Sequence, residues 1–437
     1  MATALANLSL DAALAEVRER YVAGNPASLA AHVTATASMP GGNTRTVLFH
    51  APFPLTMARG AGCRLWDADG HEYVDMLGEY TAGLYGHSNP VIRGAIGNAL
   101  DRGWNLGGHG AMEARLAQLI VDRIPSIERL RFTNSGTEAN LMAIATAVAV
   151  TGRTGVLVFD GGYHGGVLYF GGGGIPINVP HRWLLGTYND TAGAVALARA
   201  HADDLACILV EPMLGSGGCI PGTPAFLQAL RDVADETGAI LVFDEVMTSR
   251  MSAGGEQARL GITPDMTTLG KYIGGGMSFG AFGGRADIMD RYDPRRPGAL
   301  PHAGTFNNNV LTMAAGVAGL TRIFTPEAAD ALFARGDALR AALNQVGTGL
   351  AMQWTGLGSL LTAHFQRGAI TCPADTAGTG PGLRELFFFD MLDRGFYLAR
   401  RGMIALSLEI GAPETTGFIS AVQDFVDTRG PLLGAPG

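Results

Sequence analysis

Of the 31 Lys and Arg side chains in this 437-residue chain, one alone is a lysine, Lys271; the other 30 are arginines. Arginine stays protonated in a protein and cannot serve as an amine nucleophile, whereas lysine can once its site lowers its pKa. A chain that uses arginine for every other cation therefore marks Lys271 as a residue kept for its chemistry. It sits in Thr267-Thr268-Leu269-Gly270-Lys271-Tyr272-Ile273-Gly274-Gly275-Gly276, where the glycines leave a long side chain room to swing. Asp244 lies 27 positions earlier, in Val242-Phe243-Asp244-Glu245-Val246, an apolar run that ends in paired carboxylates. Such a pair could ligate a metal, but no histidine cluster follows, and metal ligation is the weaker reading. The stronger one sets Asp244 against the protonated ring nitrogen of a pyridine-type cofactor, so that the ring can take up carbanion charge. On that reading Val246 covers one face of the ring.

Three further clusters carry polar groups on glycine-rich loops. Thr133-Asn134-Ser135-Gly136-Thr137-Glu138-Ala139-Asn140 opens a helix. Small residues there let the backbone approach a phosphate, the hydroxyls of Ser135 and Thr137 donate, and the helix N-terminus offers free N–H groups. Ser-x-x-Glu at 135–138 is equally a capping box, and the two readings are compatible. The spacing is not that of a P-loop, which disfavours a nucleotide. Phe159-Asp160-Gly161-Gly162-Tyr163-His164-Gly165-Gly166 offers Tyr163 either for stacking on a flat ring or for packing within its own domain. Gly304-Thr305-Phe306-Asn307-Asn308-Asn309 supplies another hydroxyl and several amides suited to a phosphate.

These clusters must be held by elements that end where they begin. Leu130–Thr133, Gly155–Phe159, Ala206–Val210 and Ala239–Phe243 are apolar runs, each closed by a polar or glycine-rich cluster and followed by a helical segment. That is the mark of a mostly parallel sheet with helices on its faces, and ligands gather at the C-terminal ends of such strands. Residues 1–35 read as a helical arm, and 65–75 as a β-hairpin turning at Asp69-Gly70. From about 326 an Ala/Leu/Arg-rich helix, short strands near Leu360–Phe365 and Ile404–Leu408, and a helix near Thr416–Phe425 make a smaller α+β unit. The expected organisation is an arm and part of the small domain at 1–77, a large domain at 78–325 and a C-terminal small domain at 326–437. A net charge of −8 with few basic clusters argues against a nucleic-acid partner. Cys63, Cys207, Cys219 and Cys372 are scattered, without a CxxC pair, so neither a zinc site nor a disulfide framework is indicated. No apolar stretch approaches the ~20 residues of a membrane span. Asp11 and Glu16 stand where a secretory signal would be basic. The expectation is a soluble protein of the reducing cytoplasm, with no membrane partner.

Ser-Gly-Thr-Glu-Ala-Asn at 135–140, Tyr-His-Gly at 163–165, Glu-Pro at 211–212, Phe-Asp-Glu-Val at 243–246 and Leu-Gly-Lys at 269–271, in this order, resemble the class III aminotransferases of pyridoxal 5′-phosphate (PLP) fold type I. The resemblance runs over roughly residues 35–410. The branch it is most similar to contains glutamate-1-semialdehyde aminomutases and β-amino-acid (β-phenylalanine) aminotransferases. Arg45 with Val47-Leu48-Phe49, Glu79-Tyr80-Thr81-Ala82-Gly83, Asp244 to Arg250 and Phe306-Asn307-Asn308-Asn309 look like the latter. The resemblance implies an α/β fold with a large domain built on a mostly parallel seven-stranded sheet, and a small α+β domain. It implies Lys271 as the Schiff-base lysine and Asp244 as the partner of the pyridine nitrogen. Ser135, Gly136 and Thr137 would hold the phosphate, Tyr163 and Val246 would sandwich the ring, and Glu211 would stand at the cofactor. Thr305 would reach the phosphate of a neighbouring subunit, which makes a homodimer with shared sites. Arg45 matches the arginine that takes the substrate carboxylate, with Glu79 and Tyr80 beside it. Arg401, next to Arg400, resembles a second, mobile carboxylate-binding arginine. The implied reaction is a ping-pong transamination from an aromatic β-amino acid to 2-oxoglutarate or pyruvate, with the aminomutase reaction as the alternative. Two departures weigh against the aminomutase: Ser249-Arg250 follow Thr248 where many relatives have Gly-Phe, and Ser216 stands where aminomutases tend to carry an asparagine.

Overall fold

Seven strands build the central sheet of the computed structural model, which describes residues 9–377 and 380–434. In chain order they are β1 (Arg129–Thr133), β2 (Gly155–Phe159), β3 (Arg182–Gly186), β4 (Leu205–Val210), β5 (Ile240–Asp244), β6 (Met266–Gly270) and β7 (Gly280–Gly284). Across the sheet the order is β1-β7-β6-β5-β4-β2-β3. Only β7 runs antiparallel to its neighbours. Strands β2, β4, β5 and β6 are buried along their whole length; β2, β4 and most of β5 are apolar runs, as strands covered by helices on both faces tend to be, whereas β6 carries two buried threonines. The four strands expected from the sequence are present within a residue or so of their expected ends. β3, β6 and β7 complete the seven.

β7, Gly-Ala-Phe-Gly-Gly, has neither the β-branched residues nor the alternation that announces a strand. Its glycines are there for clearance. A Cβ on Gly280 would lie 2.1 Å from the Ser135 carbonyl oxygen, and one on Gly284 would lie 2.2 Å from that of Asp265. The helix Gly136–Thr151 lies on this sheet through Ala139, Ala143 and Ala147, all fully buried, and ends at Gly152 in the left-handed region. Small side chains let the helix axis approach the strands closely, which brings its N-terminus over the strand ends.

Two smaller sheets stand beside the large one. Met57–Ala61, Arg64–Asp67 and Glu72–Asp75 form an antiparallel meander whose last strand pairs in parallel with Phe396–Tyr397. The N-terminal hairpin, turning at 68–71 as expected, thus joins the C-terminal part of the chain. Gln353–Leu357, Leu360–His364 and Met403–Ala405 make a three-stranded antiparallel sheet. The expected helical arm is two helices, Leu10–Gly24 and Pro26–Thr36, broken at Asn25-Pro26 because proline cannot continue the first; residues 1–8 lie outside the described residues. The C-terminal helix is longer than expected, Ala412–Arg429.

Candidate active site

The C-terminal ends of β1, β2, β4, β5 and β6 open on one cavity of about 300 Å³. Ser135, Gly136 and Thr137 line it from the end of β1, Tyr163 and His164 from β2, Glu211 from β4, Asp244 and Val246 from β5, and Lys271 from β6. Residues from five separate sequence clusters therefore meet in one place. Thr305 is exposed and is not among the residues lining its own chain's cavity. A larger hollow of about 730 Å³ adjoins it through Met277 and is lined by Glu79, His87, Ser88, Arg93 and several glycines; Lys271 does not line it.

Lys271 follows directly on β6, in the left-handed region at φ 56°. Its Nζ donates to the Tyr80 carbonyl oxygen at 2.6 Å. Burial pushes its pKa down to about 8, against the opposing pull of Asp244. The Tyr80 carbonyl is aimed by an uncommon turn: Gly78, Glu79, Tyr80 and Thr81 all have positive φ, between 48° and 82°. Each non-glycine residue held there costs roughly 1–2 kcal/mol, and such runs persist where the surroundings enforce them. Gly78 begins the run because a Cβ there would lie 2.7 Å from the Ala405 carbonyl oxygen.

Asp244, 4% exposed, accepts from the Asn140 amide at 2.8 Å, from His164 Nδ1 at 2.7 Å and from the Val246 N–H at 3.0 Å. With a carboxylate as its partner, His164 carries its proton on Nδ1. Glu211 is buried and accepts the N–H groups of Tyr163 and Gly215, each at 2.9 Å. It straps the Tyr163 loop to the end of β4, and burial raises its pKa. Ser135 caps its helix by accepting the Glu138 N–H at 3.1 Å, but the expected capping box is only half formed, because the Glu138 carboxylate accepts the Asn134 N–H at 2.9 Å and not that of Ser135. Its hydroxyl proton is still free to donate, and the first-turn N–H groups of Gly136 and Thr137 have no partner within the helix.

The arginines converge on Tyr80. The Arg45 guanidinium lies 5.8 Å from the Tyr80 ring centroid and that of Arg401 lies 5.0 Å from it. Arg45 is ion-paired with Glu79. Arg400, which the sequence left as a rival to Arg401, is committed elsewhere: it pairs with Glu385 at 3.1 Å, which also holds Arg18 at 2.7 Å. Of the apolar residues near Arg45, Val47 lies by the site, its carbonyl 3.4 Å from the Tyr80 hydroxyl. Phe53 is 2% exposed and packs on Tyr21, and Leu55 packs on the same core, so neither faces the site. Asn140, His164 and Thr268 were visible only as members of quoted motifs. Among the described residues no group of three His, Cys, Asp or Glu is placed to hold a metal.

A flat, phosphorylated cofactor fits this cavity. Gly136 is a glycine because a Cβ would press into Val246 at 2.8 Å, and one on Gly165 would meet the Thr137 side chain at 2.4 Å. The missing side chains let the helix N-terminus pack directly against Val246 and the Tyr163 loop against Thr137, which draws these groups together around the cavity. Residues 49–170 and 188–387 match the class-III aminotransferase family. The chain belongs to that family of PLP enzymes, which pass an amino group from an amino donor to a keto acid. The beta-phenylalanine transaminase of Variovorax paradoxus is 54% identical over 431 residues, covering 98% of this chain and 99% of the relative. The crystal structure of a beta-phenylalanine aminotransferase from the same organism superposes with a TM-score of 0.96 at 55% identity, over 97% of this chain and 99% of the other. A transaminase solved with PLP bound has a TM-score of 0.85 at 31% identity, over 94% and 98% of the two chains. The glutamate-1-semialdehyde 2,1-aminomutase of Rhodopirellula baltica is 38% identical over 396 residues, 86% of this chain and 90% of the relative.

Proposed function

We propose that this aminotransferase takes the amino group of an aromatic β-amino acid, β-phenylalanine or a close analogue, and delivers it to 2-oxoglutarate or pyruvate. The observation that carries this reading is the placement of two guanidiniums around the Tyr80 ring, while the Tyr80 carbonyl holds the reactive amine. A β-amino acid carries its carboxylate one carbon farther from the reacting centre than an α-amino acid does. Cations at the ring of the residue whose carbonyl holds Lys271 suit that longer reach.

When bound, PLP supplies the carbonyl that carries the amino group between the half-reactions and a ring that accepts charge. Lys271 Nζ would hold the cofactor and, as a neutral amine beside the substrate, would move a proton to and from the substrate carbon. Asp244 holds the proton on the ring nitrogen. Ser135, Gly136 and Thr137 bind the phosphate, Val246 and Tyr163 confine the ring, and Glu211 keeps Tyr163 in place. Arg45, freed from Glu79, takes the donor carboxylate. Arg401, which has no carboxylate partner among the described residues, takes the second carboxylate of a dicarboxylic acceptor. Incubating the protein with α- and β-amino donors and either keto acid tests this. Activity on no β-amino acid would refute it, and so would 5-aminolevulinate formed from glutamate-1-semialdehyde without an added acceptor.

The working unit in this reading is a homodimer in which Thr305 serves the partner's phosphate. Phe306 beside it, Trp104 and Leu106 are all at least half exposed, large apolar side chains that a partner subunit would cover in this reading. An active monomer in sedimentation would overturn it. The chain divides at about 77 and 325, with 1–77 joined to 326–437 through the sheet that Phe396–Tyr397 completes. The cytoplasmic assignment is supported by four cysteines that are all unpaired; no helix among the described residues is long and apolar enough to cross a membrane.

A further inference from the structure

Asn140 is 1% exposed and sits four residues after Gly136 on the same helix, so it projects from the face whose first turn lines the phosphate end of the cavity. Its Nδ2 donates to Asp244 Oδ2 at 2.8 Å and to the His164 carbonyl at 3.0 Å. Its Oδ1 accepts the Thr268 hydroxyl at 2.7 Å. Thr268 is fully buried on β6, three residues before Lys271 and in register with Asp244 on β5. The amide has only one workable orientation. Turned over, it would set its oxygen against a carboxylate and a carbonyl, and its NH₂ against a hydroxyl that now donates to it.

One side chain therefore ties together three elements: the helix that opens on the phosphate, the strand that ends in Asp244 and the strand that ends at Lys271. An amide is suited to that task, because it can accept from Thr268 while donating to a carboxylate. A hydroxyl lacks the reach, and a second carboxylate would repel the first. From this we infer that Asn140, its amide set by Thr268, is a positioning residue that aims the Asp244 carboxylate at the cofactor's ring nitrogen. The inference rests on the reading that Asp244 meets that nitrogen.

The test uses the PLP-loaded enzyme and four variants, with Asp244→Asn as the reference. Visible absorbance against pH, the rate of PLP loss on dialysis, and kcat and KM for the donor are measured for each. Asn140→Asp should approach Asp244→Asn in all of them. Thr268→Val should lower kcat about tenfold, the scale of one buried hydrogen bond, shift the absorbance–pH profile in the direction Asp244→Asn shifts it, and leave KM within about twofold. Thr268→Ser, which keeps the hydroxyl, should restore the parent profile, a rescue that a loss of packing alone would not produce. If Asn140→Asp fails to fold, the Thr268 pair decides. Absorbance and PLP loss unchanged in the Asn140 and Thr268 variants, while Asp244→Asn alters both, would overturn the inference. If Asp244→Asn alters neither, the reading of Asp244 itself is refuted.

Discussion

Asp244, Asn140, His164 and Thr268 are each at most 4% exposed, and the polar atoms that join them are matched donor to acceptor. A few residues away, around Tyr80, the Arg45 and Glu79 side chains are 45% and 54% exposed, and Arg401 has a sulfur contact at 3.1 Å and a buried Nε without a partner. The first region is finished before any ligand arrives, because a half-satisfied polar network at low dielectric would be costly. The second is unfinished by design. In the proposed reading its ion pair would be exchanged for a substrate carboxylate, and its unpaired donor would be filled by one. Such a division lets the chemistry stay fixed while the range of substrates is adjusted at the mouth.

The comparison is broken most severely at its shared point, Lys271. Lys271→Ala should abolish transamination and the visible absorbance of the lysine-linked cofactor. Lys271→Arg should be equally inactive, since it keeps the charge without the nucleophile; near-parent turnover by either would end the argument. Next comes Asp244→Asn, in the finished region, expected to cost on the order of 10²–10⁴ in kcat while the cofactor still attaches. In the unfinished region, Arg45→Ala should lower kcat/KM for the β-amino acid roughly 10–100-fold, the worth of one charge-assisted contact, with the absorbance intact. An Arg45→Ala effect as large as that of Asp244→Asn would erase the distinction between the two regions. The smallest effect is one of pH. Burial lowers the Lys271 pKa to about 8, and only the neutral amine attacks. The rate at which the cofactor-free protein captures PLP should therefore rise with pH and level off above about 8. Capture that keeps climbing to roughly 10, where an ordinary lysine titrates, would show that the site does not tune its amine.

Asp244 was legible because it lies where an apolar run ends in a polar cluster, and the lone lysine points to itself; Asn140, within a helix, and Thr268, within a strand, carried no such mark. The cross-links were not legible. Asn140 and Thr268 are 128 positions apart, and nothing in either motif says that their side chains meet. The glycine strand Gly280–Gly284 escaped for a different reason, since its residues answer to the clearance of neighbouring carbonyls and not to strand propensity. At the mouth, Arg400 and Arg401 are equivalent on paper. Only the position of Glu385, on the helix Pro381–Asp393, separates them. The left-handed run at 78–81 contains three non-glycine residues and gives no sign of its conformation in the sequence.

The solitary lysine also has a practical consequence. Reagents that acylate or cross-link lysine side chains find no second target on this molecule, because its single such amine stands half-buried in the cavity wall. Tethering the enzyme to a support through surface lysines would fail. A small aldehyde or active ester that did react with the Lys271 side chain would report, by the mass it adds, how many sites stood open, making that one amine a built-in counter of active sites.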